Sequence, residues 1–119
     1  MAKHNEFGEE GEEIAARFLV GKGYRIQEKN YRYRRAEIDI IALKEDVLAI
    51  VEVRTRSTDH IIPIADTIHP RKIQLLIKAA NHYVTSQQLD VEVRFDIIAI
   101  LKNDRIFKIE HLERAFYHF

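Results

Sequence analysis

The sequence predicts an α/β fold, a central mixed sheet flanked by helices, on three observations. Two apolar, β-branched runs, Ile38-Asp39-Ile40-Ile41-Ala42-Leu43 and Val47-Leu48-Ala49-Ile50-Val51-Glu52-Val53, flank Lys44-Glu45-Asp46 and read as a hairpin. Helical periodicity stands before and after that hairpin. The strand runs are apolar on both faces, as strands covered on both sides are. The resulting order, α-β-β-β-α-β-β, suits a sheet between helical layers.

Each element has its own local signal. From about residue 8 to 21, Ile14, Ala15, Phe18 and Leu19 form one stripe, and Gly21 and Gly23 end the helix. Tyr24-Arg25-Ile26-Gln27 alternates apolar and polar and reads as a first strand. Asn30-Tyr31-Arg32-Tyr33-Arg34-Arg35 reads as a loop before the hairpin, and Thr55 to His69, which holds Pro63, as a longer loop. Pro70 suits the first position of a second helix, which carries Ile73, Leu76, Ile77, Ala80, Tyr83 and Val84 at spacings of three and four. Val91 to Leu101 is a strong strand, Lys102-Asn103-Asp104 a turn and Ile106 to Ile109 a last strand. The segment from His111 to Phe116 is expected to form one helical turn.

Composition narrows the class. A chain of 119 residues suits one domain, taken as residues 1–119. Without cysteine, disulfides, zinc–thiolate sites and thiol catalysis are excluded. The polar start, Met1-Ala2-Lys3-His4-Asn5-Glu6, is no signal peptide, and no apolar run reaches membrane-spanning length, so a cytoplasmic protein without membrane partners is expected. Nineteen basic and nineteen acidic side chains cancel, which argues against strong non-specific nucleic-acid binding. The charges are unevenly placed, however. Glu6, Glu9, Glu10, Glu12 and Glu13 crowd the start, while Lys29, Arg32, Arg34 and Arg35 crowd the loop before the hairpin. A basic surface beside an acidic metal centre averages to zero in this way, as does an ordinary solvated surface.

Register is fixed by the apolar pattern. If paired residues sum to 91, Leu43 faces Leu48, Ile41 faces Ile50, Asp39 faces Glu52 and Glu37 faces Arg54; Ile38, Ile40 and Ala42 then meet Val53, Val51 and Ala49 on the other face. A slip of one residue mixes the faces. The favoured register sets two carboxylates side by side, which is destabilising on a sheet and more so when buried. Arg54 and Arg56 could reach back to neutralise them. A divalent cation would do so more directly, because Mg²⁺ and Mn²⁺ take hard oxygen ligands. A cation two residues beyond Glu52, roughly 7 Å along the strand, could then meet a phosphate under attack.

Asp-x(n)-Glu-x-Lys is the minimal signature of the PD-(D/E)XK nuclease fold, and Asp39, Glu52 and Arg54 approximate it within the matching element order. Gly8-x-x-Gly11-Glu12-x-x-Ala15, Asn30-Tyr31-Arg32, Glu37-Ile38-Asp39, Val51-Glu52-Val53-Arg54-x-Arg56, Arg71-Lys72, Arg94-Phe95-Asp96 and Ala115-Phe116 follow in order. Together they resemble the YraN family, small bacterial proteins classed as uncharacterised and assigned a restriction-endonuclease-like fold. The resemblance covers nearly the whole chain, and no single motif carries it. It implies an αβββαβ core and a nuclease related to archaeal Holliday-junction resolvases. It also implies Asp39 and Glu52 as ligands of Mg²⁺ or Mn²⁺, with Glu12 a third carboxylate from the first helix. The competing reading of Glu12 is an acidic residue complementing the helix dipole. Glu37 is either a fourth carboxylate or, the favoured reading, the partner of Arg54.

Two residues depart from the family pattern: Ala36 stands where glycine is usual, and Arg54 stands where lysine is usual. Arginine can grip a phosphate with two hydrogen bonds but cannot give up its proton at ordinary pH. Arg32, Tyr33, Arg34 and Arg35, with Tyr31 interleaved, are the foremost candidates for nucleic-acid contact; an exposed basic loop is the alternative. Arg56 joins them, as do Arg71 and Lys72 at the start of the second helix, where free backbone N–H groups would help. Asp96 reads as a structural ion-pair residue. The leading expectation is a Mg²⁺- or Mn²⁺-dependent endonuclease acting on DNA rather than RNA, branched or single-stranded, for which a homodimer would suit two-fold substrates. The alternatives are a nucleic-acid-binding module that does not cut, favoured by Arg54, and a protein-binding adaptor, favoured by the zero net charge.

Overall fold

The structure is a computed structural model and describes residues 2–57, 68–102 and 107–116. Its elements are α1 (Ala2–Gly21), β1 (Arg25–Tyr33), β2 (Ala36–Lys44), β3 (Val47–Ser57), α2 (Pro70–Ser86), β4 (Glu92–Lys102) and β5 (Phe107–Leu112). One five-stranded sheet runs in the order β1-β2-β3-β4-β5. Only β3 and β4 pair in parallel, joined through α2 as a parallel pair requires; the other pairs are antiparallel. The predicted α/β architecture with a mixed sheet therefore holds.

Two cores separate the layers. Ala15, Ala16 and Leu19 of α1 pack on Ile40, Ala42, Ala49, Val51, Ile98 and Ile100. Leu76, Ala79, Ala80 and Tyr83 of α2 pack with Ile38, Ile41, Leu48, Ile50 and Phe95. Because neighbours such as Ile40 and Ile41 belong to different cores, the helices cover opposite faces. Both helices end in the same hydrogen-bond pattern: Tyr24 N–H donates to Leu19 O and Gly23 N–H to Val20 O, and Leu89 N–H donates to Val84 O and Gln88 N–H to Thr85 O. Gly23 (φ 98°) and Gln88 (φ 54°) hold the left-handed position this pattern requires.

Four expectations need correction. Helix α1 begins at Ala2 rather than near residue 8. Residues 30–33 belong to β1, leaving only Arg34-Arg35 between Tyr33 and its partner Ala36; an edge strand exposed along much of its length reads like a loop. Strand β3 continues through Thr55 to Ser57, and residues 58–67, the greater part of the expected second loop, lie outside the described residues. His111 and Leu112 extend β5, and Glu113-Arg114 is a turn, where a helical turn was expected. The turn and strand start expected within residues 103–106 also lie outside the described residues. Among the described residues, no helix is long and apolar enough to cross a membrane.

Asp96, on β4, is fully buried. Arg94 Nε and Nη2 donate to it at 2.9 Å, and Arg114 N–H donates at 3.2 Å. His111 Nε2 lies 2.8 Å from Asp96 Oδ2, while Lys22 Nζ lies 2.8 Å from His111 Nδ1. An ammonium can only donate, so Nδ1 accepts and the Nε2 proton faces Asp96. Burial alone would raise the Asp96 carboxyl, yet the hydrogen bonds from His111 and Arg94 hold it below the usual carboxylate range. Its expected structural role is what the structure shows. Asp96→Ala takes the main partner from the largely covered Arg94 guanidinium and the buried His111, and is expected to cost about 3 kcal/mol, read as a lower urea midpoint at unchanged slope.

Gly11 sets how closely α1 approaches β3, because a Cβ there would run into the Thr55 Cγ2 methyl. Gly11→Ala gains about 1 kcal/mol in helix propensity but overpacks a contact that costs about 1–3 kcal/mol. A net loss is expected for Gly11→Ala and recovery in the double variant with Thr55→Ser, both measured by denaturant unfolding.

Candidate active site

The β2–β3 ladder follows the expected register from Lys44↔Val47 to Ile40↔Val51 and stops there. Beyond it the strands part. Asp39 is thus no ladder partner of Glu52, and Ile38 packs under α2 instead of continuing the face of Ile40. The Asp39 carboxylate meets the opposite strand directly, with Val53 N–H donating to Oδ2 at 2.9 Å.

Glu52 lies on the α2 side and is 3 % exposed. Its Oε2 receives Lys72 Nζ at 2.6 Å and Arg54 Nη2 at 3.2 Å. Its Oε1 is buried without a hydrogen-bond partner, as is Arg54 Nε. Burial, with the negative charge of Glu52 beside it, pushes the Asp39 carboxyl up to about 7; the Val53 N–H works against the shift, and Glu12 adds to it.

Glu12 approaches from α1. Asn30, with its amide oriented so that nitrogen faces the carboxylates, donates to Glu12 Oε1 at 3.1 Å and Glu37 Oε2 at 3.3 Å. Asn30 takes φ 55° within β1, a conformation asparagine tolerates better than most residues. Burial raises the Glu12 carboxyl; the Asn30 hydrogen bond opposes this, and Glu37 reinforces it. Asp39, Glu52, Glu12 and Glu37 therefore share one neighbourhood, supplied by three elements.

The other predicted residues distribute differently. Glu37 pairs with its cross-strand neighbour Arg32 at 3.5 Å, not with Arg54. Tyr31 sets its ring edge against Tyr83, 5.2 Å between centroids, and so packs beneath α2. Arg56 Nη1 donates to Thr55 O. The N–H of Arg71, expected to be free for phosphate, is capped by His69 Nδ1 at 3.1 Å. Arg71 and Lys72 line a cleft of about 470 Å³ together with Asp39, Glu37 and Arg35. Lys72, expected only as a phosphate contact, reaches Glu52 instead. The sequence held no local signal for this contact, twenty positions apart.

Among the described residues, no three carboxylates or imidazoles are spaced as a metal cage. Mg²⁺ needs no such cage, since it is commonly held by one or two carboxylates, waters and substrate phosphates. The donor set fits a hard cation: a buried Glu52 with an unpartnered oxygen stands beside a partly buried Asp39 whose proton affinity it raises.

A five-stranded mixed sheet between two helices, with carboxylates gathered where its central strands part, defines a restriction-endonuclease-like core. Residues 11–100 match the family model described as "Uncharacterised protein family UPF0102". The chain belongs to that family, the YraN family its motifs resemble. It is 56 % identical to a UPF0102 protein of Flavobacterium psychrophilum and 54 % identical to one of Christiangramia forsetii, over the whole of both chains in each case. It is also 43 % identical to a UPF0102 protein of Parabacteroides distasonis, covering 98 % of this chain and 97 % of that one.

The raised Asp39 carboxyl gives a pH signature. Between its ordinary value near 4 and about 7, the folded state binds a proton that the unfolded state does not. Its contribution to stability is therefore complete below that window and lost as pH rises through about 7. Asp39→Asn keeps an oxygen for Val53 N–H and removes the titration. In EDTA, the melting temperature of the variant relative to the parent is expected to climb from pH 5 to pH 8; a flat difference would refute the assignment.

Proposed function

We propose that this protein hydrolyses phosphodiester bonds in nucleic acid, DNA in preference to RNA, with Mg²⁺ or Mn²⁺ held by Asp39 and Glu52 and assisted by Glu12. The observation that carries the reading is the buried Glu52, with one oxygen unpartnered, beside an Asp39 whose proton affinity is raised. Such a cation, when bound, supplies an activated water and neutralises charge on the phosphate. The chain's own groups do the rest. Arg54, its side chain partly exposed beside Glu52, brings a guanidinium that can donate to a phosphate oxygen. Lys72 brings to Glu52 an amine able to hold and release a proton, a capacity Arg54 lacks. Lysine is thus supplied from α2 instead of from β3. Arg71 and Arg35, on the same cleft, would hold the flanking phosphates.

A second reading has its own observation. Lys72 and Arg54 both neutralise Glu52 Oε2, so the site is already closed by internal ion pairs, as in a binding module that does not cut. Cleavage of junction, flap, single-stranded and duplex DNA with Mn²⁺ separates the two. The hydrolase reading expects cleavage by the parent, none by the Asp39→Ala, Glu52→Ala double variant, and about a hundred-fold loss in Lys72→Ala, the scale of a lost acid–base group. Binding of the same DNAs without cleavage by any variant would establish the second reading.

A further inference from the structure

A second cleft, of about 570 Å³, adjoins the carboxylate cleft and, apart from the shared Arg35, takes no part in the chemistry proposed above. Arg35, Ala36 and Leu75 line both, so the two are continuous. One wall of the second cleft is Tyr33, Arg34 and Arg35, at the β1–β2 turn; the other is Lys78, Asn81 and His82 of α2. Tyr33 and His82 stack across it, their centroids 4.1 Å apart and their planes 18° from parallel. The Arg34 guanidinium lies 5.3 Å from the Tyr33 ring centre.

This combination is specific in its chemistry. Arg34, Arg35 and Lys78 bring positive charge, and among the described residues no carboxylate lines the cleft. The exposed His82 ring, backed by Tyr33, and Leu75 offer apolar and π surface, and Asn81 offers both a donor and an acceptor. A polyanion without flat groups would leave the rings unused, and an apolar ligand would leave the cations unmatched. The volume falls within the range of small-ligand sites. We propose that this cleft binds an unpaired nucleotide, its base on the open face of the exposed His82 ring and its phosphates on Arg34, Arg35 and Lys78. A base within a duplex is already stacked on its neighbours and cannot enter, so the cleft selects single-stranded, flapped or junction ends. The inference rests on the nucleic-acid reading of the adjoining carboxylate site, and supplies its substrate preference.

Binding in EDTA by the full chain tests it, using fluorescein-labelled oligothymidine, an abasic strand of equal length and a duplex. Oligothymidine is expected to bind about ten-fold tighter than the abasic strand, as base stacking on aromatic side chains supplies. His82→Ala, at an exposed helical position, removes that preference and leaves abasic binding unchanged. Lys78→Ala weakens all three, and Arg34→Gly, which relieves a φ of 57°, does likewise without disturbing the turn. Equal affinity for oligothymidine and abasic strand, or His82→Ala with the parent's preference, would overturn the proposal. A protein that prefers bases but never cleaves with Mn²⁺ keeps this site and loses the hydrolase reading. One that cleaves yet ignores the bases keeps the hydrolase and loses this site.

Discussion

Where β2 and β3 separate, a buried carboxylate and a half-buried one have to be accommodated side by side, and much of the surrounding architecture answers that demand. Glu52 has almost no solvent to disperse its charge, and Asp39 lies near enough to feel it. The surroundings compensate from every side. Val53 offers its backbone N–H to Asp39 once the ladder has ended, α2 extends Lys72 to Glu52, and Arg54 folds back along its own strand. One oxygen of Glu52 still has no partner. A fold assembled only for stability would replace such a pair with apolar groups at little cost. Here the pair stands instead at a cleft that Asp39 lines, and the proposed cation site rests on that arrangement.

The two helices contribute opposite charges to this point. Helix α1 comes close because Gly11 presents no side chain to Thr55, and the next residue is then Glu12. Helix α2 starts where His69 caps the N–H of Arg71 and Pro70 occupies the first turn, so that Lys72 leaves the helix near its beginning. Asn30 links the α1 side to β2 by bonding both Glu12 and Glu37. Carboxylates arrive from the first helix and the hairpin, cations from the second helix and β3.

Much of this was legible in the sequence, for identifiable reasons. The hairpin register follows from the apolar alternation, because a one-residue slip would expose half of each strand; it holds as far as Ile40. The helices follow from their stripes and their stops. The strand containing Asn30 was not legible, since an edge strand exposes much of its length and Asn30 breaks its alternation. Extending the hairpin register past Ile40 assigns Glu37 to Arg54, but the ladder stops there, and Arg32 on the unrecognised part of β1 stands opposite Glu37 instead. The meeting of Lys72 with Glu52 depends on how α2 lies on the sheet, which local pattern does not encode. The pairing of His111 with Asp96 depends likewise on the β4–β5 register.

Asp96 gathers distant parts of the chain onto a single buried charge. Through Arg94 it meets Tyr24, just past the end of α1, through His111 it meets Lys22, and through Arg114 the turn after β5. During synthesis this aspartate emerges before His111 and Arg114 exist, so its burial cannot be completed from the amino-terminal side alone. Closure of the last strand is what makes a neutral, fully bonded interior possible there. Assembly of this domain is therefore expected to be all-or-none, its first helix and its last strand settling together and not one after the other.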